Sequence, residues 1–332
     1  MSTSLQFSSI LYCITLYLLL IENAYSLRNI SSHHDYYHHQ PPSKKFKLPM
    51  NISYMPQKER KYKMIVTEGY TRRNYRNFYT VLQRNIVSIR TARATAYFGD
   101  NHICAGSIIS DDLILTAAHC VIDRRKIVTR GHRIIVVGGT PNRLNPYVGT
   151  VEMKVLDVIP HHDFVPDGAH DIALLRLAEN FRDDNDFIRV IPLSDGIIPN
   201  GTICTIIGWG QIFYRGPYSG DAIHGAMIVF SYNYCLQFYP NVFDETMMCA
   251  SRADAWDVNT CRGDAGGPLI CGGRVAGVVS WRSYCGRDTK PTVFASVYHH
   301  RDWIKMASCA NILKSLKTLH LLLNMLCIYI SS

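Results

Sequence analysis

Three short segments of this 332-residue chain carry side chains able to do chemistry. In LTAAHC at 115–120, His119 stands beside a cysteine at the end of an apolar run. In HDIALLRL at 170–177, Asp171 stands just before another apolar run. CRGDAGGPL at 261–269 is a glycine-rich turn. An imidazole can carry a proton near neutral pH, and a carboxylate beside it can hold one tautomer. Taken singly, a histidine or an aspartate is usually structural. The three segments in this order, with Gly208-Trp209-Gly210 and Ser280-Trp281 between and after them, form a specific constellation.

The elements that must position these groups read as short strands. IVSI at 86–89, LILTAA at 113–118, RIIVVGG at 133–139, IALLRL at 172–177, CTIIGWG at 204–210 and RVAGVVSW at 274–281 are brief, β-branched and bounded by turn residues. Such punctuation predicts an all-β barrel or sandwich. YHHRDWIK at 298–305 predicts a terminal helix, and no internal repeat is visible.

Together the motifs resemble the trypsin/chymotrypsin serine protease family over residues 65–305. That resemblance implies two six-stranded antiparallel β-barrels with the active site in the cleft between them. It matches His119 to the general base, Asp171 to the carboxylate that orients it, and Gly263 to an oxyanion-hole position. In the family's GDSGGP motif the serine is the nucleophile. Here the motif reads Gly263-Asp264-Ala265-Gly266-Gly267-Pro268. Acyl transfer needs an oxygen or sulfur to attack the scissile carbonyl, and the Ala265 methyl group cannot do so. Loss of the nucleophile in this class costs on the order of 10⁶ in turnover. Thr260 and Ser280 are the nearest other hydroxyls by motif position, one expected in the substrate pocket and one beside Asp171.

Other positions depart from the family in the same direction. Asn259 replaces the acidic pocket floor of trypsins, while Arg282 (after Ser280-Trp281) and Thr292 replace small wall residues, so a plugged pocket is expected. Ile65-Val66-Thr67-Glu68-Gly69 resembles the start exposed on activation, whose new amino group pairs in the family with the aspartate matched by Asp264. Met64, not Lys or Arg, precedes it, so tryptic activation is not expected. The resemblance also pairs Cys104–Cys120, Cys204–Cys271, Cys235–Cys249 and Cys261–Cys285.

The remaining features bound the setting. Residues 1–26 carry an apolar run ending in Ala24-Tyr25-Ser26, too short to span a bilayer, and predict a secretory signal peptide. Eight cysteines in the central region are an even set, as expected of disulfides in an exported protein. Asn29, Asn51 and Asn200 lie in glycosylation sequons. Residues 27–64 form a basic leader without apolar periodicity, read as a disordered polar tract. Its pairs His33-His34 and His38-His39 offer weak metal binding at most. The tail, 306–332, ends in LHLLLNMLCIYISS, read as an amphipathic appendage or a lipid-anchor signal. A formal charge of +9 fits either a solvated surface or acidic partners such as proteoglycan, anionic lipid or acidic protein faces. No cofactor or structural metal site is expected, and secretion argues against nucleic acid. The expectation is therefore a secreted, non-catalytic homologue that binds extracellular proteins of a proteolytic pathway. The alternatives are a residual hydrolase and a membrane-tethered adhesion module.

Overall fold

The computed structural model describes residues 82–309 except 95, 124, 147, 183–184, 213–214, 252–259 and 282–289. The chain divides into compact units 1–73 and 74–332, and every described residue lies in the second. The signal peptide, the leader, Asn29, Asn51, Met64, Ile65 and the tail beyond Cys309 thus fall outside the described residues.

The first six strands are β1 (Ile86–Thr91), β2 (His102–Ile108), β3 (Leu113–Thr116), β4 (Ile134–Gly138), β5 (Val151–Pro160) and β6 (Ala173–Leu177). They close into a barrel in the order β1-β2-β3-β6-β5-β4. The second six are β7 (Ile203–Gly208), β8 (Ile223–Val229), β9 (Met247–Ser251), β10 (Pro268–Cys271), β11 (Arg274–Val279) and β12 (Thr292–Ser296). Their closed order, β7-β8-β9-β12-β11-β10, repeats that of the first barrel. The repeat absent from the sequence is thus present in the topology, because strand order needs only apolar spacing and turn positions, not identical residues. All twelve ladders are antiparallel, and closure leaves neither barrel a free edge.

All six predicted strands are found. Of the six missed ones, β9, β10 and β12 are only four or five residues long, and others lack a continuous apolar signature. In β5, for example, exposed and half-buried positions predominate, and β8 is interrupted by Gly225. A short helix, α1 (Tyr232–Phe238), was also not predicted; Ser231 caps it by accepting the Tyr234 N–H. The terminal helix α2 runs Val297–Ser308, and Val297, His300, Ile304 and Ala307 form its buried stripe.

Three disulfides join the expected partners: Cys104–Cys120, Cys204–Cys271 and Cys235–Cys249. Cys261 is also disulfide-bonded, but Cys285 lies outside the described residues. Cys309 falls within the tail 306–332 of the sequence reading, yet it is buried and disulfide-bonded to a partner outside the described residues. The reason is that α2 continues past the predicted end and carries Cys309 down onto the core. The Cys104–Cys120 bridge ties β2 to the turn that bears His119, closing a separation of 16 residues. Replacing both cysteines by alanine is expected to lower the unfolding free energy by about 3 kcal/mol, read from urea titrations.

Candidate functional site

Strand register places the first two functional groups. β3 and β6 run antiparallel with Thr116 opposite Ala173, so the end of one strand meets the start of the other. His119 lies three residues beyond that point, in the 3-10 turn Ala118–Cys120, and Asp171 lies two residues before it. The carboxylate of Asp171 is 3% exposed. It accepts the His119 backbone N–H at 2.9 Å and the His119 Nδ1–H at 2.6 Å, and it also accepts the Ser280 hydroxyl. With Nδ1 holding the proton, Nε2 of His119 carries the lone pair of a general base. The imidazole is 37% exposed.

The electrostatics follow from burial and pairing. Burial by itself would depress the His119 imidazolium, but the Asp171 charge and its hydrogen bond more than offset this, and the pKa ends above the ordinary 6.5. Burial of Asp171 would raise its pKa, yet His119 and the hydroxyl and N–H donors hold it below the ordinary carboxylate value. Asp171→Asn is therefore expected to lower the His119 pKa, as followed by an NMR pH titration of its ring signals. An unchanged or higher value would contradict this account of the pair.

The second barrel supplies the opposite wall. The turn Cys261–Pro268 is held by its own polar groups. Asp264 Oδ1 accepts the Gly210 N–H at 2.8 Å, and Oδ2 accepts the Cys261 N–H at 2.9 Å. Gly266 N–H donates to Val279 O at 2.8 Å, which sets the turn beside Ser280. Gly266 must be glycine: its φ is +77°, and a Cβ would collide with the Thr116 hydroxyl and the Ala105 carbonyl. Ala265 accepts the Ala105 N–H at 2.8 Å, joining the turn to β2 of the first barrel, and its methyl group packs against that barrel's core. Among the described residues, no acceptor takes the N–H of Gly263 or Ala265.

The pocket residues are partly visible. Thr260 and Thr292 are both buried, and their hydroxyls lie 2.9 Å apart in a mutual hydrogen bond. Trp281 donates its indole N–H to Gly168 O at 3.2 Å and meets Tyr239 edge-on. Asn259 and Arg282 lie outside the described residues. Asn200 is exposed, in a turn before β7. Ser280 donates to Asp171 and Thr260 is paired with Thr292, and neither hydroxyl is hydrogen-bonded to His119.

One functional group escaped the sequence reading. His102, at the start of β2, is 7% exposed and donates Nε2–H to the Gly263 carbonyl at 3.0 Å. Its Nδ1 then accepts the Ser88 hydroxyl at 2.8 Å, and Ser88 Oγ accepts Arg90 Nε–H at 3.0 Å. Burial pushes the His102 pKa down to about 4. No motif surrounds His102; only its polarity at the head of a buried strand could have drawn notice. A group of Cys104, His119 and Cys120 has metal-binding spacing, but the two sulfurs form a disulfide and offer no thiolate.

Comparison with known proteins agrees with this geometry. The trypsin family profile matches residues 83–304. Human kallikrein-8 is 31% identical over 219 residues, 64% of this chain and 80% of the relative. Trypsin-3 of Salmo salar is 28% identical over 231 residues, 69% of this chain and 91% of the relative. The solved structure of neuropsin, a serine protease expressed in the limbic system of mouse brain, aligns with a TM-score of 0.57 at 28% identity. It covers 67% of this chain and 93% of that structure. With matching barrels, a matching His–Asp–Ser280 arrangement and a family match over most of its length, the chain belongs to the trypsin family of serine proteases.

Proposed function

We propose that this chain is a secreted, non-catalytic member of the family that works by binding extracellular proteins of a proteolytic pathway. The observation that carries the reading is residue 265. The base, its orienting carboxylate and the glycine turn are assembled, yet alanine stands where the family's nucleophile stands. His119 has no hydroxyl to deprotonate there, and the covalent step has no acceptor atom. The buried Thr260–Thr292 hydrogen bond, between positions that the resemblance assigns to the substrate pocket, supports this reading, and the disulfides keep the barrels stapled as a binding scaffold needs. The disulfides and the predicted signal peptide support secretion. Among the described residues, no helix is long and apolar enough to cross a membrane.

The intact His119–Asp171 pair favours one second reading, a residual hydrolase in which His119 activates water on an activated ester. A fluorophosphonate probe separates the two. The purified chain is expected to remain unlabelled under conditions that label trypsin fully. Covalent labelling at any residue would overturn the binding-only reading.

A further inference from the structure

Away from the cleft, three histidines from distant parts of the sequence meet where the end of β5 faces the first turn of α2. His161 follows β5, His170 immediately precedes Asp171, and His300 lies in α2. One ring nitrogen from each lies within 4.8 Å of the others. His161 is 7% exposed and His300 2%, while His170 is half-buried. We infer that His161, His170 and His300 form a zinc site that ties α2 to the segment bearing Asp171.

The donor set and its support fit such an ion. Nδ1 of His300 lies 2.7 Å from the Ser296 carbonyl, which can only accept, so Nδ1 carries the proton and Nε2 presents its lone pair. A backbone carbonyl fixing the far nitrogen is the usual support of a metal-bound imidazole. That Nε2 lies 3.1 Å from Nδ1 of His170. Two nitrogens on one tetrahedral zinc are about 3.4 Å apart, given Zn–N bonds of ~2.0–2.1 Å. An ion can therefore replace the shared hydrogen with little movement. The His161 ring lies against that of His170, with centroids 4.4 Å apart and planes 6° from parallel. To join the ion it must turn about χ2, a soft torsion, giving up the 3.2 Å bond from the Asp163 N–H. All-imidazole sets suit zinc among abundant redox-inert ions.

Two further observations favour a built site over a packed core. His170 has φ +57°, a left-handed conformation that few non-glycine residues adopt. On the solvent side, His162 and Asp163 place their ligand atoms within 4.8 Å of one another and of His161. Both are exposed, so they mark an open mouth and can supply the fourth ligand. Because His170 is covalently next to Asp171, the ion also fixes the residue from which the carboxylate reaches His119.

The test uses the full secreted chain with disulfides intact, stripped with chelator and titrated with zinc chloride by calorimetry at neutral pH. One tight site per chain is expected. His170→Asn, which suits the left-handed backbone, and His161→Gln are each expected to weaken it by roughly 100-fold or more. The metal-free melting temperature of His170→Asn should match that of the parent chain, so loss of zinc is not loss of fold. Replacing leader histidines His33, His34, His38 and His39 by alanine should leave the site intact. Cobalt substitution should give the visible bands of a tetrahedral nitrogen-rich site. The inference is overturned if folded parent chain takes up no zinc, if His170→Asn binds as the parent does, or if the leader variant loses the site. Failure here leaves the probe result at residue 265 untouched, and the converse also holds.

Discussion

Ala265→Ser is expected to create a serine that fluorophosphonate labels, without creating a trypsin. The labelling should follow because, among the described residues, the groups that would activate the serine are in place. Asp171 holds His119 through Nδ1 and the backbone N–H, leaving Nε2 as the base, and Ser280 holds Asp171. The N–H groups of Gly263 and Ala265 have no acceptor among the described residues and are available to an oxyanion. The gain over the parent chain should be large, since removing this nucleophile costs on the order of 10⁶ in turnover. Tryptic activity should nevertheless stay absent. On the proposed reading, Asn259 brings an amide where trypsins carry a carboxylate for a substrate Lys or Arg, and the buried Thr260 and Thr292 hydroxyls are hydrogen-bonded to each other. Labelling should disappear in the double variant with His119→Ala. Appreciable turnover of arginine or lysine substrates by Ala265→Ser would show that the pocket is open and the conversion confined to one residue. No labelling would show that the turn itself is misaligned.

The second large effect is acid lability through His102. Its folded pKa is about 4, against an ordinary 6.5, mainly because burial disfavours the cation, with Arg143 and Arg90 adding repulsion. The groups facing it are Ser88, Arg90, the Gly263 carbonyl and the rings of Trp209 and Tyr218, with no carboxylate among them. Unfolded, His102 takes up a proton as pH falls through about 6.5; folded, it does so only near 4. In that window the unfolded state binds the extra proton, so stability falls as pH falls, and it is fully restored above the window. The loss should reach about 2–3 kcal/mol for this one group near the lower end. His102→Gln keeps an N–H donor for Gly263 but cannot titrate. Urea unfolding of the two proteins on either side of the window should show the smaller pH dependence in the glutamine variant. Equal dependences would sink the assignment, since Asp171 and the other titrating groups are common to both.

The sequence alone determined a good deal. Apolar punctuation pointed to an all-β barrel or sandwich, and the family resemblance carried by the motifs implied the two barrels, the pairing of His119 with Asp171 and three of the disulfides. The strands and the turn were legible because each depends on local residue types: β-branched runs make strands, and a glycine-rich turn cannot be built from other residues where φ is positive. Ala265, the residue on which the functional proposal rests, needed no coordinates to be noticed. Other features required the chain to close on itself. The His102–Gly263 bond spans 161 positions, and the His161–His170–His300 group draws on three segments with no common spacing. Cys309 became part of the domain because α2 packs its last turn onto the core. Barrel closure brings such residues together by strand register and helix packing, and neither leaves a periodic trace around the residue concerned. The missing nucleophile could thus be read directly, whereas the surroundings that make its restoration informative could be seen only in the folded chain.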